Sequence, residues 1–227
     1  MNEWMNVEWM NLTKWFIHSF IQNSFITNHL SIIMKVGLFF GSFNPVHTGH
    51  LIIANYMATQ TDLDKVWVVV SPQNPLKKKA SLAGDYDRLN MVRRAVEGND
   101  AIEASDIEFG LPKPSYTIDT LTYLKEKYPK YEFALIMGGD NIATLHKWKN
   151  YEKILENHQI YVYQRPEYEL GELAKHAHVH IYEAPLMQIS ATYIRKCLRE
   201  GKSIKYLVPD AVIEEIMASH LYQWWNA

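Results

Sequence analysis

Two histidines three residues apart, His47 and His50, lie where a short apolar run gives way to a helical pattern. The run at 36–40 is typical of a buried strand, and 51–58 has the pattern of an amphipathic helix. The start of a helix presents unpaired backbone N–H groups and the positive end of the helix dipole, which together bind phosphate. Imidazoles beside a phosphate can donate hydrogen bonds to charge that develops during its transfer. We therefore interpret the segment 41–50 as a site of nucleotide chemistry.

The composition fits one sizeable domain and excludes two classes of partner. The 227 residues are 48% apolar and 21% charged, which is enough for a proper core. The net charge of −2 predicts no general affinity for nucleic acid or for a membrane surface, and no apolar run is long enough to span a bilayer. A single cysteine excludes an internal disulfide, so we expect a reducing, cytoplasmic location.

The domain boundaries follow from a change in composition. Residues 1–33 are rich in tryptophan and asparagine, carry few charges and make a poor signal peptide. Since Met34 stands directly before the first strand, we expect 1–33 to be a non-native or dispensable extension. A chain starting at Met34 that lost activity would refute this. We expect 34–223 to form a single domain and 224–227 a tail.

Beyond position 34 the pattern alternates between strands and helices. Strands are predicted at 36–40, 66–70, 102–109, 132–137, 160–163 and 179–182, and helices from 51 onward and at 85–96, 117–128, 142–146, 151–155, 190–199 and 209–219. This alternation indicates an α/β fold, a Rossmann-like doubly wound parallel sheet with helices on both faces and a small helical C-terminal part. Ligands gather at the carboxyl ends of such strands, so the loops that carry His47, Lys77, Asp140 and Arg165 should meet in one cleft.

Two familiar phosphate-binding loops are absent from the sequence. No Gly-x-Gly-x-x-Gly follows the first strand, which disfavours hydride transfer with a dinucleotide. The tripeptide at 201–203 has the Gly-Lys-Ser of a P-loop, but the earlier glycine is missing and the tripeptide ends a helix instead of opening one. The sequence therefore disfavours a P-loop kinase or NTPase.

The segment 41–50, Gly-Ser-Phe-Asn-Pro-Val-His-Thr-Gly-His, closely resembles the His-x-Gly-His signature of the nucleotidyltransferases. From about 34 to 223 the chain is similar to the bacterial nicotinate-nucleotide adenylyltransferases. Further motifs follow in that family's order: Pro-Leu-Lys at 75–77, Pro-Ser-Tyr-Thr-Ile-Asp-Thr-Leu at 114–121, Gly-Gly-Asp at 138–140, Leu-His-Lys-Trp at 145–148, Arg-Pro at 165–166 and Ile-Ser-Ala-Thr-Tyr-Ile-Arg at 189–195. The Ser-Tyr-Thr and Gly-x-Asp…Trp elements point to the nicotinate branch.

The resemblance implies a reaction. Nicotinate mononucleotide and ATP would give deamido-NAD and pyrophosphate, with Mg²⁺ held mainly by the ATP phosphates and water. The 5′-phosphate of the mononucleotide would attack the α-phosphorus directly, so no protein nucleophile and no protein metal ligand are expected. Catalysis would come from positioning and from neutralising charge.

The resemblance also implies which residues bind ATP. His47 and His50 would contact its phosphates, with His50 stabilising the transferring α-phosphate. Ser190, Thr192 and Arg195, at a helix start, would grip the β- and γ-phosphates. The loop of the signature would contribute backbone donors from Gly41, Ser42 and Phe43.

Other residues would complete the cleft by the same resemblance. Gly138 and Asp140 would bind ATP, with Asp140 against the adenosine ribose, and Arg165 would lie near the adenine. The catalytic residues would be His47, His50, Lys77 and Arg195. Lys77 would also contact the mononucleotide. Thr117 and Trp148 would hold the nicotinate ring, the tryptophan by stacking.

The sequence departs from the family pattern at two positions and leaves several alternatives open. Leu76 stands where the family often has a histidine, and Lys149 where an aromatic residue often follows the tryptophan. A phosphopantetheine adenylyltransferase, a cytidylyltransferase or a non-catalytic nucleotide-binding regulator would share the signature. The preference for the acid over the amide mononucleotide and a homo-oligomeric state are also open.

Three alternating histidines, His176, His178 and His180, would share one face of a strand. No nearby cysteine or carboxylate completes a tetrahedral set, so we expect an exposed face or a loop in preference to a zinc site. Asp140 has a simpler alternative role as the cap of the helix that follows it.

Overall fold

We describe a computed structural model of the chain that covers residues 33–72, 82–164 and 169–222. From Met34 onward the chain belongs to one compact unit. The predicted boundaries of the extension, the domain and the tail stay predictions.

A six-stranded parallel sheet forms the centre of this unit. Its strands run in the order β3-β2-β1-β4-β5-β6. The order reverses between β1 and β4, which is the point where doubly wound sheets open a ligand crevice at the carboxyl ends of their strands. The strands are β1 Met34–Gly41, β2 Lys65–Val70, β3 Ile102–Ser105, β4 Tyr131–Gly138, β5 Ile160–Tyr163 and β6 Val179–Tyr182.

Helices cover both faces of the sheet, as the alternating pattern predicts. Successive strand residues point to opposite faces, so in β2 Val68 joins one apolar cluster and Val69 the other. Helices α1, α2, α6 and α7 pack on the first cluster, and α3, α4 and α5 on the second. The helices are α1 Thr48–Gln60, α2 Asp85–Val96, α3 Thr117–Lys127, α4 Gly139–Thr144, α5 Tyr151–Asn157, α6 Ala191–Arg199 and α7 Asp210–Ala218, with 3₁₀ turns at Leu145–Lys147 and Glu172–Lys175.

Two predicted elements are wrong in extent. The strand predicted at 102–109 ends at Ser105, because the chain turns where the Phe109 N–H donates to the Asp106 carbonyl at 2.8 Å. From this turn, Ile107 packs against one apolar cluster and Phe109 against the other. Apolar and polar residues therefore alternate in the sequence here although the chain forms no strand.

The helix predicted at 142–146 begins earlier. It starts at Gly139, directly after β4, and continues beyond Thr144 as a 3₁₀ turn. The second of the paired glycines, Gly139, is therefore the first residue of the helix. In the described part of the chain, no helix has the length and apolar character needed to cross a bilayer.

Candidate active site

The two histidines of the signature lie at the start of α1, beyond the carboxyl end of β1. His47 is the N-cap residue, and its carbonyl accepts the backbone N–H of His50 at 2.9 Å. Their rings stack with centroids 3.5 Å apart and 22° between the ring planes. A Cβ on Gly49 would lie 3.2 Å from His47 Nδ1, so glycine leaves room for the ring. The two imidazoles therefore form one stacked pair at the helix N-terminus.

A backbone hydrogen bond orients the second imidazole of this pair. The His47 N–H donates to His50 Nδ1 at 3.2 Å. Because that nitrogen accepts, the neutral ring carries its proton on Nε2. Phe43 contacts the same ring edge-on, with centroids 5.0 Å apart. The His50 Nε2–H is thus the donor that this ring can offer to a phosphate oxygen.

The α1 start is also tied to the C-terminal part of the chain. The Thr48 N–H donates to the Leu207 carbonyl at 2.9 Å, and the Thr48 hydroxyl donates to the Tyr206 carbonyl at 3.2 Å. Thr48 is itself a residue of the His-x-Gly-His signature. The turn before α7 therefore helps to position the histidine pair.

The loop that precedes the histidines folds back over the end of β1. Phe43 has a φ of 42°, in the left-handed region that bulky residues rarely occupy. Its ring is buried and packs edge-on against Phe39 at 5.8 Å. A Cβ on Gly41 would lie 2.7 Å from Phe43 Cζ, so this ring uses the space that glycine leaves. The geometry puts Phe43 beside His50, while the contacts of Gly41, Ser42 and Phe43 with ATP stay predictions.

A buried arginine that the sequence analysis missed holds this loop. Arg88 in α2 is fully buried, and its Nη1 donates to the Ser42 carbonyl at 2.6 Å and to the Ser71 carbonyl at 2.9 Å. Its Nε donates to the Ala83 carbonyl at 3.2 Å, and Nη2 to Asp85 Oδ1 at 2.7 Å. One side chain thereby joins the loops that follow β1 and β2. A cation on the apolar face of a helix was the signal that could have identified it.

Of the three predicted phosphate-binding residues of α6, Ser190 and Thr192 lie at its start and Arg195 lies in its middle. Ser190 is the N-cap, and its hydroxyl oxygen accepts the Tyr193 N–H at 3.2 Å. Arg195 donates from Nη1 to the Asn44 carbonyl at 2.6 Å and from Nη2 to Thr192 Oγ1 at 3.3 Å. Burial lowers the pKa of the Arg195 guanidinium below its ordinary value, yet arginine stays charged. The structure therefore brings this cation to the loop of the histidines.

Asp140 lies over the end of β4, the strand next to β1. A Cβ on Gly138 would lie 2.5 Å from Asp140 Oδ1 and 3.0 Å from the Tyr163 hydroxyl oxygen, so both groups use the space of that glycine. The N-cap of α4 is Gly138, without a side-chain hydrogen bond, so Asp140 is not the cap of that helix. The Tyr163 ring contacts Phe39 edge-on at 6.1 Å. Aromatic packing thus connects the end of β5 to β1 across the end of β4.

The segments that carry the two predicted nicotinate-binding residues are brought together. Thr117 is the first residue of α3, and Trp148, half-buried, follows the 3₁₀ turn after α4. Lys149 donates from Nζ to Asp119 Oδ2 at 2.9 Å and lies 4.8 Å above the ring centroid of Tyr116. The residue that departs from the family pattern therefore links the indole segment to the first turn of α3.

A buried carboxyl group beneath α3 was also missed. Glu108 is 2% exposed, and the Thr120 hydroxyl donates to its Oε1 at 2.8 Å. Burial raises the pKa of Glu108, and hydrogen bonds from Ser71 and Thr120 offset part of that rise. Glu108 thereby connects the loop after β2 to α3. No local pattern indicated this, because Glu108 was assigned to a strand.

Two predicted site residues, Lys77 and Arg165, lie outside the described residues, as does Leu76. Strands β2 and β5, which precede them, end at the same edge of the sheet as β1 and β4. Their roles stay predictions.

The three alternating histidines do not share a strand. Only His180 lies in β6, where its Nε2 is 2.6 Å from Gln159 Oε1. His178 Nδ1 is 2.7 Å from the Leu155 carbonyl oxygen, and His176 precedes the strand. The side chains of His178 and His180 are therefore directed at neighbouring segments through hydrogen bonds.

Comparisons with known proteins place the chain in a family. The Cytidylyltransferase-like family matches residues 38–197. The probable nicotinate-nucleotide adenylyltransferase of Flavobacterium johnsoniae is 56% identical over 192 residues, which cover 84% of this chain and 100% of the relative. That of Cytophaga hutchinsonii is 55% identical over 189 residues, 83% of this chain and 98% of the relative.

A solved structure shares the fold. Plasmodium falciparum nicotinic acid mononucleotide adenylyltransferase complexed with NaAD superposes with a TM-score of 0.70 at 23% identity, over 83% of this chain and 97% of that one. The sheet order, the histidine pair at its switch point and the similarity over whole relatives agree. The chain belongs to the nicotinate-nucleotide adenylyltransferases, a family of nucleotidyltransferase enzymes.

Proposed function

We propose that this enzyme transfers the adenylyl group of ATP to nicotinate mononucleotide, in NAD biosynthesis. An oxygen of the 5′-phosphate of the mononucleotide attacks the α-phosphorus of ATP, a new P–O bond forms, and the bond to the β-phosphate breaks. The products are deamido-NAD and pyrophosphate. No atom of the protein forms a covalent bond in this reaction.

The observation that carries the proposal is the stacked histidine pair at the start of α1, with Arg195 bonded to the same loop. Nδ1 of His50 accepts a hydrogen bond from the His47 backbone N–H. The donor of the neutral His50 ring is therefore the N–H at Nε2, on the other side of the ring. A helix start, an oriented imidazole and a guanidinium together favour a polyphosphate. Phosphoryl transfer needs such positioning and charge neutralisation more than it needs a nucleophile.

On the donor side, we assign His50 to the α-phosphate, where negative charge develops, and His47 to the adjoining phosphates. Arg195, with the α6 start at Ser190 and Thr192, takes the β- and γ-phosphates. Asp140, at the end of β4, takes the adenosine ribose, and Arg165 the adenine. Lys77 balances charge from the opposite side.

We further propose that Mg²⁺ enters with ATP. Imidazole N–H and guanidinium groups are donors, so the described residues of the helix starts suit phosphate oxygens and not the cation. Mg²⁺ also keeps water and phosphate ligands in preference to a full set of protein ligands. The ion then supplies neutralisation of phosphate charge.

On the acceptor side, Trp148 stacks on the nicotinate ring and the α3 start at Thr117 receives its carboxylate. A helix start favours an anion, so we expect the acid mononucleotide to be preferred over the amide. Comparing kcat/KM for the two tests this, and a higher value for the amide would contradict it.

Pyrophosphate release tests the reaction itself, with ATP and nicotinate mononucleotide, ATP and phosphopantetheine, or CTP and a cytidylyl acceptor supplied in turn. We expect release with the first alone. Activity with phosphopantetheine and none with nicotinate mononucleotide would overturn the proposal. A cytoplasmic location and a homo-oligomeric state stay predictions.

A further inference from the structure

The C-terminal end of the described chain reaches the signature loop. The Tyr222 hydroxyl donates to Asn44 Oδ1 at 2.6 Å, across a separation of 178 residues. The Ala83 N–H donates to the same oxygen at 3.1 Å. A backbone N–H can only donate, so the amide of Asn44 is held in one orientation. Asn44 is 2% exposed, which makes this a contact in the protein interior.

The same asparagine carries the proposed phosphate-binding cation on its backbone. Arg195 Nη1 donates to the Asn44 carbonyl at 2.6 Å, as described above. Tyr222 holds the side chain of Asn44, and the backbone carbonyl of Asn44 holds Arg195. A displacement of Tyr222 should therefore displace Arg195. Tyr222 and Arg195 also interact electrostatically, and this interaction opposes the rise in the pKa of Tyr222 that burial causes. The hydroxyl is therefore protonated at neutral pH and donates.

We propose that Tyr222 is a positioning residue for adenylyl transfer: through Asn44 it sets the place of the Arg195 guanidinium and of the loop before His47. This inference rests on the proposed function for the role of Arg195. It gives a role to the last described residue of the chain, which lies beyond the last motif of the family resemblance, at 189–195. Tyr222 touches no substrate and acts only through its neighbours.

Tyr222→Phe is the direct test, because it removes one oxygen and keeps the ring. We expect kcat/KM for ATP to fall about tenfold, as one buried hydrogen bond is lost, with KM for nicotinate mononucleotide unchanged. Tyr86→Phe is the matched control, since Tyr86 is 67% exposed and should leave both constants unchanged. A melting temperature measured for each variant separates this loss from unfolding.

A double-mutant cycle then asks whether the effect passes through the cation. In an Arg195→Lys background, Tyr222→Phe should change kcat/KM for ATP less than twofold, because the guanidinium that it positions is gone. An undiminished effect there, or an unchanged kcat/KM in the single variant, would overturn the proposal. A purely structural role would lower the melting temperature equally in both backgrounds and show no such coupling.

A binding measurement separates this proposal from the proposed function. The affinity for α,β-methylene-ATP, measured by calorimetry, needs no acceptor, and Tyr222→Phe should weaken it about fivefold by the same lost contact. If the wild type transfers nothing to nicotinate mononucleotide but the coupling persists in this affinity, the proposed acceptor is wrong and the role of Tyr222 stands. If the affinity is unchanged, the role of Tyr222 is wrong whatever the acceptor.

Discussion

The donor side and the acceptor side of the cleft are built in different ways. On the donor side, the loop before His47 is held by a fully buried guanidinium, that of Arg88, and by a buried amide, that of Asn44. On the acceptor side, Lys149 joins the segments that carry Trp148 and Thr117, and the side chains of its pair with Asp119 are 44% and 51% exposed. Buried hydrogen bonds to charged groups are strong and costly to break, while exposed ion pairs contribute little.

The difference indicates where the enzyme needs fixed geometry. Charge development at the α-phosphate requires donors that are in place before the reaction, and a buried network provides them. Recognition of the acceptor ring tolerates adjustment, since stacking depends on area more than on one distance. We therefore expect changes on the donor side to affect stability and turnover, and changes on the acceptor side to affect mainly the affinity for the mononucleotide.

The strongest challenge to the donor side is Arg88→Met. It leaves three carbonyls without this donor and Asp85 with Lys113 as its remaining partner, so the free energy of unfolding should fall by about 3–5 kcal/mol. Denaturant titration measures this. Arg93→Met is the control on the same helix, because Arg93 is 55% exposed and should cost less than about 0.5 kcal/mol. Equal losses in both variants would remove Arg88 from the donor-side network.

Removing the His50 imidazole tests the chemical step and leaves the buried network of Arg88 and Asn44 in place. His50→Ala should lower kcat by about 10²–10³-fold, the loss expected for one donor to developing charge. Steady-state pyrophosphate release measures it, and His176→Ala, an exposed histidine outside the cleft, should leave kcat unchanged. A kcat within a factor of about two of the wild type would exclude His50 from the mechanism.

The acceptor side should respond in affinity. Trp148→Ala should raise KM for nicotinate mononucleotide roughly tenfold, because a stacking partner is lost, while KM for ATP stays constant. Trp148→Phe should recover part of the loss. The same rise in both KM values would show that the indole supports the whole cleft and not the acceptor alone.

The smallest effect is expected at the exposed ion pair. Lys149→Ala should raise KM for the mononucleotide by less than about fivefold, and added salt should reduce the difference from the wild type. Lys175→Ala, in the exposed pair with Glu172, serves as the control and should have no effect. A loss as large as that of His50→Ala would mean that the two sides are not built differently.

The sequence was informative wherever a local pattern has one physical cause. Apolar runs that alternate with helices predicted the parallel sheet, because both of its faces must be buried. The spacing of His47 and His50 predicted their place at a helix start, since the strand before them and the helix after them are both short-range features. The strand beyond Ser105 was overpredicted, because a turn can bury alternate residues too.

Contacts between distant segments were beyond such reasoning. Arg88 bonds to Ser42, 46 residues earlier, and Tyr222 bonds to Asn44 across nearly the whole domain. The position of Arg88 on the apolar face of its helix marks it as unusual but does not show its partners, and nothing near Tyr222 in the chain differs from a frayed end. Only the fold shows which carbonyl or amide each one meets, so these supports of the cleft were missed, and the roles of the predicted site residues stay predictions.

Gly49 shows what limits the choice of residue within the signature. Within a helix, alanine is more favourable than glycine by about 1 kcal/mol. At this position, however, a methyl group would press on the ring of His47, and the imidazole stack would shift against the N–H that orients His50. Helix propensity and the packing of the imidazole pair therefore place opposite demands on Gly49.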